Sequence, residues 1–270
     1  MQTDAHIEEV DVVKTKSKRV LIVSDFHCGH EVGLTPPEWN PSYAADHMSK
    51  YRSYMWKKFD EEVERLKPID ILVANGDLVD GRGDRQGRLE LIILDRQKQA
   101  EMAAQIISGI GAKSVFITRG TDYHVGPEES WENLVADKLN AERIGDVINL
   151  DVNGLTMNFR HHIGGSQTPI GRTTPLAREA VWNVLWSVRQ GFPLADVIVR
   201  SHVHYHSFVG GPGWLALTTP GLQGYGTRYG ERRLSGLIDW GIVVFDVVDK
   251  NDFTWEAITF PFPFPETSKA

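Results

Sequence analysis

Three short apolar runs, each ending in a polar loop, constrain this chain more than any other feature. Arg19-Val20-Leu21-Ile22-Val23-Ser24-Asp25 reads as a buried strand whose carboxyl end delivers Asp25. The second run, Ile69 to Ala74, ends in the turn Asn75-Gly76-Asp77. The third, Ser114 to Thr118, leads into Arg119-Gly120-Thr121-Asp122-Tyr123-His124. Helical patterns lie between them. Tyr51, Met55, Phe59, Val63 and Leu66 recur at helical spacing over Ser49 to Leu66, and Pro68 closes that stretch. A longer pattern covers roughly Leu89 to Ile107, until Gly109 and Gly111 stop it. Strand and helix in alternation predict an α/β sheet, and sites in such sheets lie beyond the carboxyl ends of the strands.

The second half is richer in strand patterns. A helix from about Glu129 to Leu139 precedes Leu155-Thr156-Met157-Asn158-Phe159-Arg160-His161, whose alternation puts Leu155, Met157, Phe159 and His161 on one face. A helix over Thr174 to Arg189 follows, then the buried strand Val197-Ile198-Val199, which runs into Arg200-Ser201-His202-Val203-His204. Further strands are expected at Trp214 to Thr218 and Ile242 to Val248. Trp56, Trp131, Trp182 and Trp186 fall in helical patterns and read as core. Residues 1–17 are polar without a sustained period and read as a flexible arm. Residues 18–270 read as a single domain, with Phe260-Pro261-Phe262-Pro263-Phe264-Pro265 extended along its body.

Histidine is the unusual component. Ten occur, and most sit in groups: His27 with His30, His161 with His162, and His202 with His204 and His206. The single cysteine, Cys28, excludes an intramolecular disulfide framework and a cysteine zinc cluster, and reads as a small packed side chain. A formal charge of -7 gives no general attraction for nucleic acid, so any phosphate must be met locally by metal or a few arginines. No apolar run approaches the roughly 20 residues that cross a bilayer. The N-terminus, with Asp4, Glu8, Glu9 and Asp11, lacks the order of a secretory signal. A cytoplasmic protein without a membrane partner is expected; the oligomeric state is open.

Each motif alone has an ordinary reading, since Gly and Asp are default turn residues. Their order is what matters. Asp25-x-His27, Gly76-Asp77-x-x-Asp80, a glycine loop at Gly120, His161 after a strand and His202-x-His204 together resemble the calcineurin-like metallophosphoesterase superfamily over residues 19–210. The strings SDFHCGHEVGL and RGTDYHVG are similar to a branch common among phage and prophage proteins. The resemblance implies a two-sheet sandwich flanked by helices in four αββα layers. It also implies two divalent ions, Mn first and Fe or Zn as other fits, with Asp25, His27 and His204 on one ion, Asp77 bridging, and His161 and His202 on the other. Carboxylate and imidazole suit such ions, and a bridging carboxylate holds two of them about 3.5–4 Å apart. A metal-bridging hydroxide would attack a phosphodiester, in a nucleotide or nucleic acid.

Departures and softer neighbours complete the expectations. Most members of that family carry Gly-Asn-His in the third motif, where this chain has Gly120-Thr121-Asp122-Tyr123-His124. His124 would supply the missing ligand, act as general acid, or orient the loop. Asp80 is expected to hydrogen-bond a ligand or metal-bound water. His161 is preferred to His162 by strand alternation, and His30 and His206 read as rim or surface residues. Arg82, Arg85 and Arg228 are candidate phosphate contacts from two glycine-rich loops, against a plain reading as solvated loop. A protein serine/threonine phosphatase is disfavoured, because Asp-Arg-Gly and Asn-His-Glu are absent. An amidohydrolase is disfavoured because its His-x-His pair comes at the first strand and here it comes last. The remaining alternatives are a phosphomonoesterase, or a non-catalytic metal- or nucleic-acid-binding subunit with a degraded second metal site.

Overall fold

The computed structural model describes residues 16–41, 48–84, 87–125, 130–166, 168–227 and 237–262. In chain order the elements are β1 (Lys18–Val23), α1 (Ser49–Leu66), β2 (Ile71–Asn75), α2 (Arg96–Ile110), β3 (Ser114–Thr118), the four-residue α3 (Asp122–Val125) and α4 (Trp131–Leu139). Then follow β4 (Arg143–Gly145), β5 (Ile148–Val152), β6 (Leu155–Phe159), α5 (Thr173–Gln190), β7 (Val197–Arg200), β8 (Ser207–Gly211), β9 (Trp214–Thr218), β10 (Gly241–Val247) and β11 (Phe253–Thr259).

They make two sheets, ordered β11-β10-β1-β2-β3-β4 and β5-β6-β7-β9-β8. β1 to β4 are parallel, as are β6, β7 and β9, whereas β10, β11, β5 and β8 pair antiparallel to their neighbours. Alternation in β1 decides how the layers meet. Val20 and Ile22 face the second sheet, packing with Met157, Phe159, Val197, Val199, Phe245 and neighbours. Leu21 and Val23 face the other way, into a core closed by Met55 and Phe59 of α1, Met102 and Ile106 of α2, and Val135 of α4. A third, smaller cluster lies beyond the second sheet, where Leu176 of α5 meets Ile198 and Ala216. The expected α/β sandwich of four αββα layers is therefore what forms.

Several local expectations need correction. The helix anticipated from Leu89 begins only at Arg96. The Asp95 carboxylate caps it, accepting from the N–H groups of Gln97 and Lys98, and residues just upstream are held elsewhere, with the Ile92 N–H donating to Gly29 O at 2.8 Å. β4, β5, β8 and β11 went unread, because β4 is very short and the others mix polar residues into half-exposed faces. Trp56 and Trp131 pack against the first core, but Trp182 and Trp186 are about half in solvent. His30 is buried rather than at the surface, its Nδ1 accepting the Val32 N–H. Cys28 is buried, as expected. Phe260 and Phe262 pack on Trp240; residues 263–270 of the expected C-terminal segment, and 1–15 of the expected arm, lie outside the described residues. Among the described residues no helix is long and apolar enough to cross a membrane.

Candidate metal centre

β1, β2, β3, β6 and β7 all deliver polar residues to one end of the sandwich. A buried ladder ties the ends of β1, β2, β3, β7 and β9 together. Thr118 Oγ1 donates to Asn75 Oδ1 at 2.7 Å, and Asn75 Nδ2 donates to Ser201 Oγ at 2.6 Å. Thr219 Oγ1 then bridges Ser201 Oγ at 2.7 Å and Ser24 Oγ at 2.8 Å. Five elements from both sheets are thus fixed against one another directly beneath the loops that matter, by hydrogen bonds in a low-dielectric interior.

The loops above the ladder are strained. Eight non-glycine residues among those described have positive φ, and five of them are Asp25 (55°), His27 (46°), Asp77 (51°), His202 (72°) and His204 (51°). Such conformations cost about 1–3 kcal/mol each and cluster where a side chain must be aimed. Glycine is needed beside them for close approach. A Cβ on Gly76, at φ 83°, would lie 2.5 Å from His161 Nδ1, and one on Gly120 would lie 2.1 Å from Asp77 Oδ1.

What the strain achieves is convergence. Asp25, His27 and His204 bring one ligand atom each within 4.8 Å of one another, and Asp77, His161 and His202 do the same. His204 Nε2 is 3.2 Å from Asp25 Oδ1 and 3.3 Å from His27 Nε2. His161 Nε2 is 2.9 Å from Asp77 Oδ2 and 3.9 Å from Asp25 Oδ1, so the two groups adjoin. His202 Nδ1 lies 3.9 Å from Asp77 Oδ2.

The neighbours set the rings. His161 Nδ1 donates to Asn75 O at 2.7 Å, which fixes the ring with Nε2 toward Asp77. His27 Nδ1 donates to Asp80 Oδ1 at 3.0 Å and so turns its Nε2 into the site. Asp25 is fully buried, and neither of its oxygens has a hydrogen-bond partner. A buried carboxylate with no hydrogen-bond donor, facing the His204 and His161 rings, fits a cation, because no hydrogen bond otherwise satisfies its oxygens. The donor set of carboxylate and imidazole fits a divalent transition ion.

The electrostatics of the two groups agree. Burial alone would raise the Asp25 carboxyl, but the nearby charges of His204 and then His161 outweigh it and hold the carboxyl at about 2. Asp77 is driven well below the usual carboxylate range, His161 again overcoming burial. Burial would lower His161, yet Asp77 pushes it up to about 10, and His204 is raised in the same way by Asp25. His27 is brought down to about 4, by burial first and then by the charge of His124.

Thr121 stands against Asp77. Its N–H donates to Asp77 Oδ1 at 2.7 Å, and its hydroxyl lies 3.1 and 3.2 Å from the two oxygens. His124 falls on the other side, grouped with His27 and Asp80. Its Nδ1 donates to the Asp80 carbonyl at 2.8 Å, and its ring meets that of His27 edge-on at 4.5 Å between centroids. His161 is buried where His162 is exposed, although the His162 ring is 4.7 Å from that of His202. His206 donates through Nδ1 to Thr218 O, away from both groups. Arg82 is exposed on the loop after β2, and Arg88 of the same loop pairs with Asp84. Arg85 and Arg228 lie outside the described residues.

One residue carried no signal in the sequence reading. Glu132 of α4 is fully buried under the site, where Oε1 accepts the Leu78 N–H at 3.0 Å and Oε2 accepts the Gly120 N–H at 2.7 Å. Burial, and next the charge of Asp77, raise its carboxyl to about 7. A glutamate at the second position of an amphipathic helix looks like an ordinary first-turn acid; only an inward-facing phase would have singled it out.

No protein-family model matches the chain, and no curated protein matches it. Solved structures do overlay on it. An archaeal phosphodiesterase is 16% identical at a TM-score of 0.46, covering 90% of this chain and 99% of its own. Vps29 of Entamoeba histolytica in complex with zinc is 12% identical at 0.45, covering 90% and 99%. A predicted phosphoesterase of Streptococcus pneumoniae TIGR4 is 9% identical at 0.37, covering 86% and 83%. At these levels the likeness says nothing about what this chain binds or turns over.

Proposed function

We propose that this chain is a metal-dependent phosphoesterase that hydrolyses a phosphodiester at a two-ion centre, with Mn as its preferred metal. One observation carries the reading: two adjoining groups of carboxylate and imidazole, Asp25–His27–His204 and Asp77–His161–His202, meet at strained strand ends around a buried carboxylate with no hydrogen-bond partner. Asp77 would serve both ions. Bound there, the ions supply Lewis acidity toward phosphoryl oxygens and activation of water.

The chain's own residues do the rest. Asp80 orients His27 through Nδ1, and its backbone carbonyl orients His124 the same way. With Nδ1 occupied as a donor, His124 has Nε2 free, and its half-buried position beside His27 suits a proton donor to the leaving oxygen. Its grouping with His27 and Asp80 disfavours it as the missing ligand on the Asp77 side. Arg82, exposed near this edge, is the described candidate for contact with substrate phosphate, and Arg85 and Arg228 are proposed alongside it.

A second reading has one observation in its favour. Thr121 occupies the place beside Asp77 where an amide ligand would strengthen the second site, and its hydroxyl hydrogen-bonds the carboxylate instead. A protein holding one ion without turnover would follow from that. The deciding experiment is hydrolysis of bis-p-nitrophenyl phosphate and p-nitrophenyl phosphate with added Mn²⁺. The proposal expects Mn-stimulated turnover with the diester ahead. Turnover of the monoester alone would move the assignment to a phosphomonoesterase, and none of either would support the binding subunit.

A further inference from the structure

The outer face of the second sheet is only partly covered by helix. α5 lies over β8 and β9, where Leu176 and Ala180 meet Ile198 and Ala216. Beside it, outward side chains of β5, β6 and β7 floor a cavity of about 570 Å³, within the roughly 300–1,000 Å³ of small-molecule sites. One wall is a helical stripe of α5, Glu179, Trp182, Asn183 and Trp186, at i, i+3, i+4 and i+7. Phe192, just past the helix end, stacks on Trp186 at 5.5 Å between centroids and 15° between planes. Trp182 and Trp186 are 49% and 47% exposed, so much of each indole remains accessible.

The floor supplies the polar half. Arg200 is fully engaged, its Nε and Nη2 donating to Glu179 Oε2 at 3.0 and 2.7 Å and its Nη1 to Val199 O at 2.8 Å. Arg160 is not. It lies between the buried Phe159 and His161, exposed on the side of the strand away from the metal centre, and among the described residues its guanidinium has no hydrogen bond or ion pair. With Glu179 bound to Arg200, the cavity carries one surplus positive charge in a chain whose formal charge is -7. Asn158 Nδ2 donates to Asn149 Oδ1 at 2.7 Å, which leaves Asn158 Oδ1 as an acceptor beside Asn149 Nδ2 as a donor.

These features suit different parts of one ligand. An indole wall takes a planar ring by stacking, an unpaired guanidinium takes a phosphate, and an amide donor beside an acceptor matches the edge of a base. A cation is the wrong occupant. Quaternary ammonium sites box the charge with aromatic faces, whereas here Trp186 and Phe192 are near parallel, Glu179 is already paired and Arg160 would repel the charge. We propose that this cavity is a nucleotide site separate from the metal centre, with the base against Trp182 and Trp186 and the phosphate on Arg160.

Calorimetry and tryptophan fluorescence of the full chain in EDTA, which removes turnover from the readout, test the proposal with AMP, adenosine and inorganic phosphate as probes. AMP should bind with a Kd below about 1 mM and quench the fluorescence, with adenosine and phosphate each about tenfold weaker or more. Trp186→Ala should weaken AMP and adenosine alike by about tenfold. Arg160→Ala should bring AMP down to the level of adenosine and leave adenosine unchanged. Both side chains are exposed, so neither substitution should alter the circular dichroism spectrum. No AMP binding at about ten times that concentration would overturn the proposal. So would AMP binding that neither substitution touches, or choline bound ahead of AMP. A free nucleotide and one unit of a single strand share this chemistry. A short oligoadenylate that binds more tightly than AMP identifies the strand as the source, and equal affinity the free nucleotide, either result upholding the site.

Discussion

The two halves of the candidate centre are built from similar residues but are not equally ready for a cation. In the Asp25 group, both carboxylate oxygens lack hydrogen-bond partners and His27 is aimed by Asp80. In the Asp77 group, the carboxylate already accepts from the Thr121 N–H and hydroxyl and faces His161 at 2.9 Å. A cation entering the first half meets a carboxylate with no hydrogen bond to give up, whereas one entering the second must displace or share bonds that exist. Affinity should therefore be unequal, the first ion tight and the second weak, with Asp77 the residue both depend on.

Asp77→Asn is the largest way to break that comparison. It should cost both ions and about 10³-fold or more in turnover while leaving the circular dichroism spectrum intact. Loss of only one ion, measured by elemental analysis, would show the halves to be independent. His124→Ala should reduce kcat by about 10²-fold at unchanged metal content, as expected for a proton donor; metal loss would make it a ligand. Asp80→Ala, by freeing the His27 ring, should weaken the first ion by about tenfold and leave the second nearly untouched. Thr121→Asn sharpens the contrast from the other side. Exchanging a poor ligand for an amide oxygen should tighten the second ion by about tenfold and narrow the gap between the two.

The smallest effect is in protons. His161 is raised to about 10, so without metal its ring is charged at neutral pH, and His204 is shifted in the same direction. Ligation needs neutral imidazole, so an ion bound through His161 should release about one proton near pH 7. Affinity should accordingly rise with pH across that range, which calorimetry in buffers of different ionisation enthalpy would measure. The same shift has a sign for stability without metal. Raised above 6.5 on folding, His161 stabilises the metal-free protein fully below about pH 6.5, and the contribution is lost as pH rises toward 10.

Much of this was legible in the chain, for reasons that also explain what was not. β1, β2, β3 and β7 are continuous apolar runs because parallel strands are buried on both faces, and their abrupt ends mark where Asp25, Asp77, Thr121 and His202 emerge. His161 followed from alternation along β6. The Thr118–Asn75–Ser201–Thr219–Ser24 ladder and Glu132 did not, since each is an ordinary polar residue whose importance lies in partners distant along the chain. β5, β8 and β11 were lost to half-exposed faces that read as loop. The tryptophans of α5 misled in the opposite sense. Helical periodicity reports that a face is apolar and not what covers it, and Trp182 and Trp186 turned out to face solvent.

A titration of the metal-free protein with Mn²⁺, following heat and bis-p-nitrophenyl phosphate turnover together, tests the unequal two-ion centre most directly. The account predicts a tight first ion without activity, then a weaker second whose binding brings turnover with it. A single ion at saturation and no turnover, or two ions of equal affinity, would contradict it.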